Sequence, residues 1–474
     1  MEGDFKYKSL YFVGAGGIGM AALERYFLAK GCRVAGYDRT RTDLTDALAR
    51  EGVEMCFDED AELIPEYCRD PQRTLVVYTP AVPDSHKGLQ YFRSNGFDVM
   101  KRAQVLGLIT RNSRGLCFSG THGKTTTSSM AAHILHNSSI GCSAFLGGIM
   151  RNYNSNFLLD THSEYTVIEA DEYDRSFHWL HPSVAVVTAT DPDHLDIYGT
   201  EEAYLESFSR FTELINPQGG ILLLHTGLKF KPRPASGVRV YTYSRSEGDF
   251  HAANVRCGNG EIIFDLVLPS GREIRDINLG VPVDINIENA IAAMAVCHLI
   301  GADDDELRKG IASYMGTKRR FEFWMKEPGE HGNVVIDDYA HHPDELKASI
   351  ESVRKLYQDR KLTVAFQPHL YSRTRDFYKE FAEALSMADE AIVLDIYPAR
   401  EEPLPGVTAD LIFDEIKKTA TSKVKTKIRC SVGDLADLLA SRRYDGELDV
   451  LLTAGAGDIC NYLPEICKAI EGKR

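Results

Sequence analysis

The feature that most constrains this chain is a strand, glycine turn and helix unit that occurs twice. Leu10-Tyr11-Phe12-Val13 is an apolar run ending in Gly14-Ala15-Gly16-Gly17-Ile18-Gly19, and Met20 to Lys30 continue with helical periodicity. Gly115-Leu116-Cys117-Phe118 likewise turns through Ser119-Gly120-Thr121-His122-Gly123 and enters a helix at Lys124-Thr125-Thr126-Thr127. Such turns belong to open α/β sheets, where ligands bind at the carboxyl ends of the strands.

At 474 residues the chain is too long for one core, and about three domains are expected. With 43% hydrophobic and 26% charged residues the composition is that of a globular protein, which excludes disorder, collagen and coiled coil. A net charge of -15 supplies no global basic field, so nucleic acid is not expected as a partner. No leader pattern and no long apolar stretch is visible, so no membrane partner and a cytoplasmic location are expected. The ten cysteines contain no CxxC pair and read as free thiols, mostly buried.

Strands at Arg33–Tyr37 and Thr74–Thr79 complete a small α/β unit over 1–112, with Thr110 to Arg114 as a linker. A second unit over 113–326 holds strands at Tyr165–Ile168, Val184–Val187 and Ile221–Leu224 and an alanine-rich helix from Ile287. Residues 238–279 read as β-hairpins forming a side sheet. A third α/β unit over 327–474 has strands at Val334–Ile336, Leu362–Phe366, Glu390–Leu394 and Val450–Thr453, with helices such as Asp344–Leu356 and Asp376–Ala388. The fold class is thus α/β with three domains.

The first turn lets backbone N–H groups approach a pyrophosphate at a helix N-terminus. With Asp38 placed for a ribose, it spells an NAD-dependent oxidoreductase, but the geometry suits any pyrophosphate, including that of a UDP-sugar. The second turn supplies Lys124 for β- and γ-phosphates and Thr125 for Mg²⁺, so it implies ATP. It is a shortened P-loop, with Phe118 where the strict pattern has glycine. Glu169-Ala170-Asp171-Glu172 ends a later strand, where carboxylates could hold Mg²⁺. His194, in Asp191-Pro192-Asp193-His194, falls at the same sheet edge and could ligate a metal or simply cap. His341 and His342 could form another polar cluster, with Asp344 as a helix cap. Arg373 and Arg375 could clamp a carboxylate.

The ordered motifs GAGGIGM, SGTHGKTTT, EADEYDRSF, DPDHLDIY, GTKRRFE, DDYAHHPDE and FQPHLYSRTRD resemble the Mur ligases of peptidoglycan synthesis across essentially the whole chain. The resemblance implies a Rossmann-like UDP-binding domain, a central P-loop ATPase-like domain and a C-terminal Rossmann-like domain. Gly14, Ala15, Gly16, Gly17, Ile18, Gly19 and Asp38 would then hold UDP rather than NAD. Gly120, Thr121, His122, Gly123, Lys124, Thr125, Thr126, Asn286, Asn289, Arg320 and Asp338 match ATP-binding positions. Lys124, Glu169 and His194 match catalytic positions, and Thr125, Glu169 and His194 match the metal site for Mg²⁺ or, in its place, Mn²⁺. Tyr339, His341 and Arg373 match the amino-acid pocket, while Leu370 stands where many relatives have arginine.

Histidine in GTHGKT and the GxGGxGM start narrow the resemblance to two branches, one adding L-alanine to UDP-N-acetylmuramate and one recycling murein tripeptide. FQPHLYSRTRDF is more similar to the first. The reaction so implied is ATP-dependent amide formation through an acyl phosphate, by a monomer or homodimer. An NAD-dependent oxidoreductase is the alternative from another class, and a nucleotide-binding regulator a further one.

Overall fold

Short apolar runs with both faces covered favour parallel strands, and residues 10–13 and 75–77 are buried throughout. The structure is a computed structural model describing residues 6–79, 81–193, 195–258, 260–329, 332–399, 401–416 and 423–471. The first sheet contains β1 (Ser9–Val13), β2 (Arg33–Tyr37), β3 (Glu54–Cys56), β4 (Thr74–Tyr78) and β5 (Asp98–Lys101). Its order is β3-β2-β1-β4-β5, all parallel. Helices α1 (Ile18–Ala29), α2 (Asp43–Glu51), α3 (Lys87–Ser94) and α4 (Arg102–Arg111) connect and follow these strands. Strand order reverses on either side of β1, so the first glycine turn sits at the topological switch point.

The second sheet contains β6 (Arg114–Ser119), β7 (Ser143–Met150), β8 (Ser155–Leu158), β9 (Tyr165–Glu169), β10 (Pro182–Val187), β11 (Ile221–His225) and β12 (Arg239–Tyr243). Its order is β12-β11-β10-β6-β9-β7-β8, and only the β7–β8 pair is antiparallel. The expected linker at 110–114 is in fact the end of α4 and the start of β6, because Thr110 bonds back to the Leu106 and Gly107 carbonyls. The strand at 239–243 pairs in parallel with β11 rather than forming a hairpin. The side sheet is β13 (His251–Gly258), β14 (Glu261–Val267) and β15 (Glu273–Asn278), with β14 and β15 joined by the expected turn at Ser270-Gly271.

Around the second sheet run α5 (Lys124–His136), α6 (Leu195–Tyr198), α7 (Glu201–Glu213), α8 (Ile285–Leu299) and α9 (Asp304–Ser313). The last sheet contains β16 (Glu322–Lys326), β17 (Val334–Asp338), β18 (Leu362–Phe366), β19 (Glu390–Leu394), β20 (Thr426–Cys430) and β21 (Val450–Ala454). Its order is β16-β17-β21-β18-β19-β20, with β16 antiparallel and the rest parallel. The expected boundary between residues 326 and 327 therefore falls between two paired strands, and this sheet begins earlier, at Glu322. Helices α10 (Pro343–Leu356), α11 (Tyr371–Leu385), α12 (Asp410–Glu415), α13 (Leu435–Tyr444) and α14 (Leu463–Glu471) accompany it. The helix expected from Asp376 starts five residues earlier, which places Arg373 in its first turn.

The chain divides into two compact units. One holds residues 1–253, 265–275 and 288–313, and the other 254–264, 276–287 and 314–474. Within the first unit the first two sheets share a core: Tyr26 of α1 meets the Phe145 and Phe157 rings of β7 and β8 edge-on, at 5.4 and 6.4 Å. Within the second, Val335, Ala365, Ile392 and Leu451 pack with Ile459, Leu463 and Ile466. The ten cysteines are free; five are buried and Cys257 is exposed. No helix among the described residues is long and apolar enough to cross a membrane.

Candidate active site

The first glycine turn is shaped by close approach. Gly14 has φ +91°, and a Cβ there would come within 2.4 Å of the Thr79 side chain. The Asp38 carboxylate accepts from Gly16 N–H at 2.7 Å and from Thr40 N–H at 3.0 Å, so it shapes the turn itself. Ala15 N–H donates to the Tyr37 carbonyl. Gly17 caps α1 with no side-chain bond, which leaves the N–H groups of Ile18 and Gly19 without intrahelical acceptors. Gly17 and Ile18 are exposed. This is a helix N-terminus with its positive dipole end turned outward, suited to a phosphate.

The second turn is more tightly built. Gly120 has φ +131°, and Thr188 Oγ1 and Ala189 N lie 2.2 and 2.7 Å from where its Cβ would be. Thr188 Oγ1 donates to the carbonyls of Ser119 and His122, and Thr121 N–H donates to the Ala189 carbonyl. Thr121 Oγ1 also bonds the Asp191 carbonyl and the Tyr204 hydroxyl, both at 2.8 Å. The His122 side chain is exposed and Thr126 half-buried. Gly123, at φ +81°, caps α5 with no side-chain bond, so the first N–H groups of α5 face the turn.

Three predicted residues converge here. Lys124 Nζ donates to the Gly120 carbonyl and to Glu172 Oε1, both at 2.8 Å. Thr125 Oγ1 donates to Glu169 Oε1 at 3.0 Å, and Gly147 N–H donates to Glu169 Oε2 at 2.9 Å. Asn289 of α8 joins them: Thr127 Oγ1 donates to its Oδ1 at 3.1 Å, and that oxygen lies 2.7 Å from where a Gly123 Cβ would be. Burial pushes the Glu172 carboxyl up, and the neighbouring Lys124 ammonium opposes that only in part. His194 lies outside the described residues.

Asn286, Arg320 and Asp338 belong to the second unit. Asn286 Nδ2 donates to the Val281 carbonyl, and Arg320 is exposed. Asp338 accepts from the Ser349 hydroxyl and from Phe321 N–H, and burial raises its carboxyl above the ordinary range.

The same unit gathers Tyr339, His341 and Arg373 around His369. The Tyr339 ring lies 5.1 Å from His341, and Arg319 sits 4.5 Å over the Tyr339 ring. His341 lies 6.2 Å from His369, which stacks on Tyr397 at 5.9 Å. Among the described residues Arg373 Nη1 and His369 Nδ1 are buried without a hydrogen-bond partner. Burial, then the charges of Arg373 and His341, hold His369 below its usual range. The Arg373 guanidinium is thus a donor able to meet an anion, and the His369 ring offers a polar nitrogen whose role depends on the tautomer. Leu370, at φ +70°, precedes α11 and donates its N–H to Tyr397.

Two expectations are corrected. Arg375 is bound to the adjacent Asp376 at 2.7 and 3.1 Å, and side chains two apart on α11 do not face each other, so no Arg373–Arg375 clamp forms. His342, not Asp344, caps α10, accepting Asp344 N–H on its ring nitrogen. Sequence reasoning also saw Glu172 only as part of an acidic run that could hold Mg²⁺, and left His369 without a role. Both stand inside motifs already singled out, which is the signal that could have found them.

Comparison with known proteins places these features in one lineage. Residues 9–114 match the Mur ligase family catalytic domain, 118–297 the Mur ligase middle domain and 319–457 the Mur ligase glutamate ligase domain. The chain is 57% identical over 98% of its length to the UDP-N-acetylmuramate--L-alanine ligase of Phocaeicola vulgatus, 99% of which is covered. It is 56% identical to the ligase of the same name from Parabacteroides distasonis, with 98% of both chains covered. Its structure resembles the crystal structure of UDP-N-acetylmuramate-alanine ligase MurC from Thermotoga maritima, with a TM-score of 0.76, 25% identity and 97% and 98% coverage. It also shares the fold of a murein peptide ligase from Psychrobacter arcticus, with a TM-score of 0.59, 20% identity and 98% and 99% coverage. The oxidoreductase alternative that the first glycine turn left open thus gives way: the chain belongs to the Mur ligase family.

Proposed function

We propose that the chain ligates L-alanine to the lactyl carboxylate of UDP-N-acetylmuramate at the expense of ATP, in the cytoplasm. The observation that carries this reading is Lys124, Thr125 and Glu169 meeting at one glycine turn, in a chain 57% identical to a ligase of that name. The carboxylate takes the γ-phosphoryl group to give an acyl phosphate and ADP. The alanine amine then attacks the acyl carbon, an amide forms, phosphate leaves and the amine proton is lost.

No side chain needs to act as a nucleophile, so the residues act by positioning and charge. Lys124 meets the γ-phosphate, and the N–H groups at the start of α5 cradle the phosphates. The first turn, within a domain over 1–112, takes the UDP pyrophosphate. Asn289 steadies the second turn, and Asn286, Arg320 and Asp338 are read as further nucleotide-binding residues on the family's pattern. Tyr339, His341 and Arg373 take the amino acid, with Arg373 on its carboxylate.

The metal site fits Mg²⁺. Thr125 and Glu169 offer oxygen donors 3.0 Å apart, and the second Glu169 oxygen is fixed by Gly147 N–H. Among the described residues no group of three or more His, Cys, Asp or Glu is placed to hold a metal alone. That suits a cation that takes one or two protein ligands and phosphate oxygens; the family pattern adds His194, which lies outside the described residues. Mg²⁺ would neutralise charge on the transferring phosphoryl group.

The test is phosphate release from ATP with UDP-N-acetylmuramate and Mg²⁺, with either L-alanine or L-alanyl-γ-D-glutamyl-meso-diaminopimelate added. Alanine-dependent release is expected. Release only with the tripeptide would transfer the chain to the recycling reaction, and release in neither tube would overturn the reading.

A further inference from the structure

The Lys124–Glu172 contact is not built as a static ion pair. Lys124 keeps 15% of its side chain exposed, while Glu172 is 1% exposed. Only one carboxylate oxygen has a partner: Oε1 takes Lys124, and Oε2 is buried with none among the described residues. A structural ion pair at this depth would satisfy both oxygens.

The backbone that presents Glu172 is strongly determined. Its carbonyl accepts from the Tyr198 hydroxyl at 2.5 Å and from Arg175 N–H at 2.9 Å. The next turn carries two consecutive left-handed residues, Asp174 at φ +50° and Arg175 at φ +55°. Such a conformation persists only where its surroundings over-determine it. Asp174 is tied to Lys101 at 2.8 Å, and Arg175 lies 4.7 Å over the Tyr198 ring. A strained, pinned turn thus aims a buried carboxylate at the lysine proposed to meet the γ-phosphate.

We propose that Glu172 is a positioning residue that orients Lys124 across the glycine turn and competes with the nucleotide phosphates for its charge. This rests on the ATP reading above. The competition lowers nucleotide affinity in return for a lysine held at a fixed place, which favours the transferring phosphoryl group over uniform binding.

The test is Glu172→Gln, with the Kd for Mg-AMP-PNP measured by calorimetry and kcat by phosphate release. The variant should bind the analogue about tenfold tighter and turn over more slowly, since a competing charge is lost together with the hold on Lys124. Glu172→Asp keeps the charge and should return the Kd towards the wild-type value. Weaker or unchanged binding in Glu172→Gln would overturn the proposal, because a role in shaping the turn lowers affinity. A raised Mg²⁺ requirement would also overturn it, by making Glu172 part of the metal site. Should Glu172→Gln not fold, a Glu172→Asp variant that binds the analogue more weakly than wild type carries the same refutation. Lys124→Ala separates the two levels of argument. If the wild type binds the analogue and Lys124→Ala does not, the ATP reading stands whatever Glu172 does.

Discussion

Gly120→Ala isolates the backbone's contribution to the second glycine turn, the one proposed to hold the ATP phosphates. At φ +131° an L side chain is strained, at about 1–3 kcal/mol. The new Cβ would also lie 2.2 Å from Thr188 Oγ1 and 2.7 Å from Ala189 N. Thr188 could rotate away only by giving up the hydrogen bond its hydroxyl shares between the Ser119 and His122 carbonyls, about 1 kcal/mol, and the Ala189 contact is to backbone rather than to a side chain. Keeping the native turn therefore costs about 2–4 kcal/mol, so the turn opens, and a nucleotide must rebuild it. The expected loss of Mg-AMP-PNP affinity is about 30- to 1,000-fold. Gly219→Ala is the matched control, with φ +80° and no atom within 4 Å of the added Cβ. It should cost about 1 kcal/mol of stability and leave nucleotide affinity unchanged. Calorimetric titration of both variants reads the difference. Gly120→Ala binding within threefold of wild type would refute the claim that the native turn geometry holds the phosphates.

Two further outcomes are expected. Arg373→Ala should raise the KM for L-alanine about 10- to 100-fold with little change in that for ATP, because it removes a charged donor whose Nη1 is buried unpaired; equal effects on both would assign Arg373 a structural role. Glu345→Gln should lower the stability of the second unit at pH 7. Burial raises the Glu345 carboxyl, but the His341 ring and the N–H groups of His341 and His342 hold it at about 2, below its unfolded value. The wild-type advantage is thus present above about pH 4.5 and lost as pH falls towards 2. At a half-exposed group it amounts to about 1 kcal/mol. Urea titrations of both proteins at pH 7 and pH 3 check this, and a constant difference would count against it.

The parallel strands were legible because their sequence character is local. Val76, Val186 and Ile392 sit in apolar runs buried on both faces, and such runs announce strands whatever their partners. Partner choice was not legible. Arg239–Tyr243 has an exposed first half and a buried last residue, which suits a hairpin or an edge strand equally, and only β11 decides between them. Glu322–Lys326 begins with a buried glutamate that accepts Arg319 N–H, so polarity disguised a strand of the last sheet. Helix starts slipped for a similar reason. The first turn of α11 carries the polar residues Ser372 and Arg373, and Ser372 is held by Glu401 from a distant loop.

The same division runs through the site. Gly14, Gly120 and Gly123 could be assigned from sequence because each answers a local demand, a positive φ or a close backbone approach, that few other residues meet. Lys124 and Thr125 follow, since a helix starting at a fixed point puts them at its mouth. The acidic run after β9 shows where that logic stops. Spacing allows Glu169, Asp171 and Glu172 one neighbourhood, yet Glu169 turns to Thr125, Glu172 to Lys124, and Asp171 accepts Tyr173 N–H. The run then passes into the left-handed pair Asp174-Arg175, neither of them glycine, so nothing in the residue types marks that turn. Lys101 and Tyr198 pin that turn and the Glu172 backbone beside it, contacts between residues far apart in the chain. The glycines mark a tight turn at the mouth of α5 in the sequence, but that Glu172 is the acid that answers its lysine shows only in the packed chain.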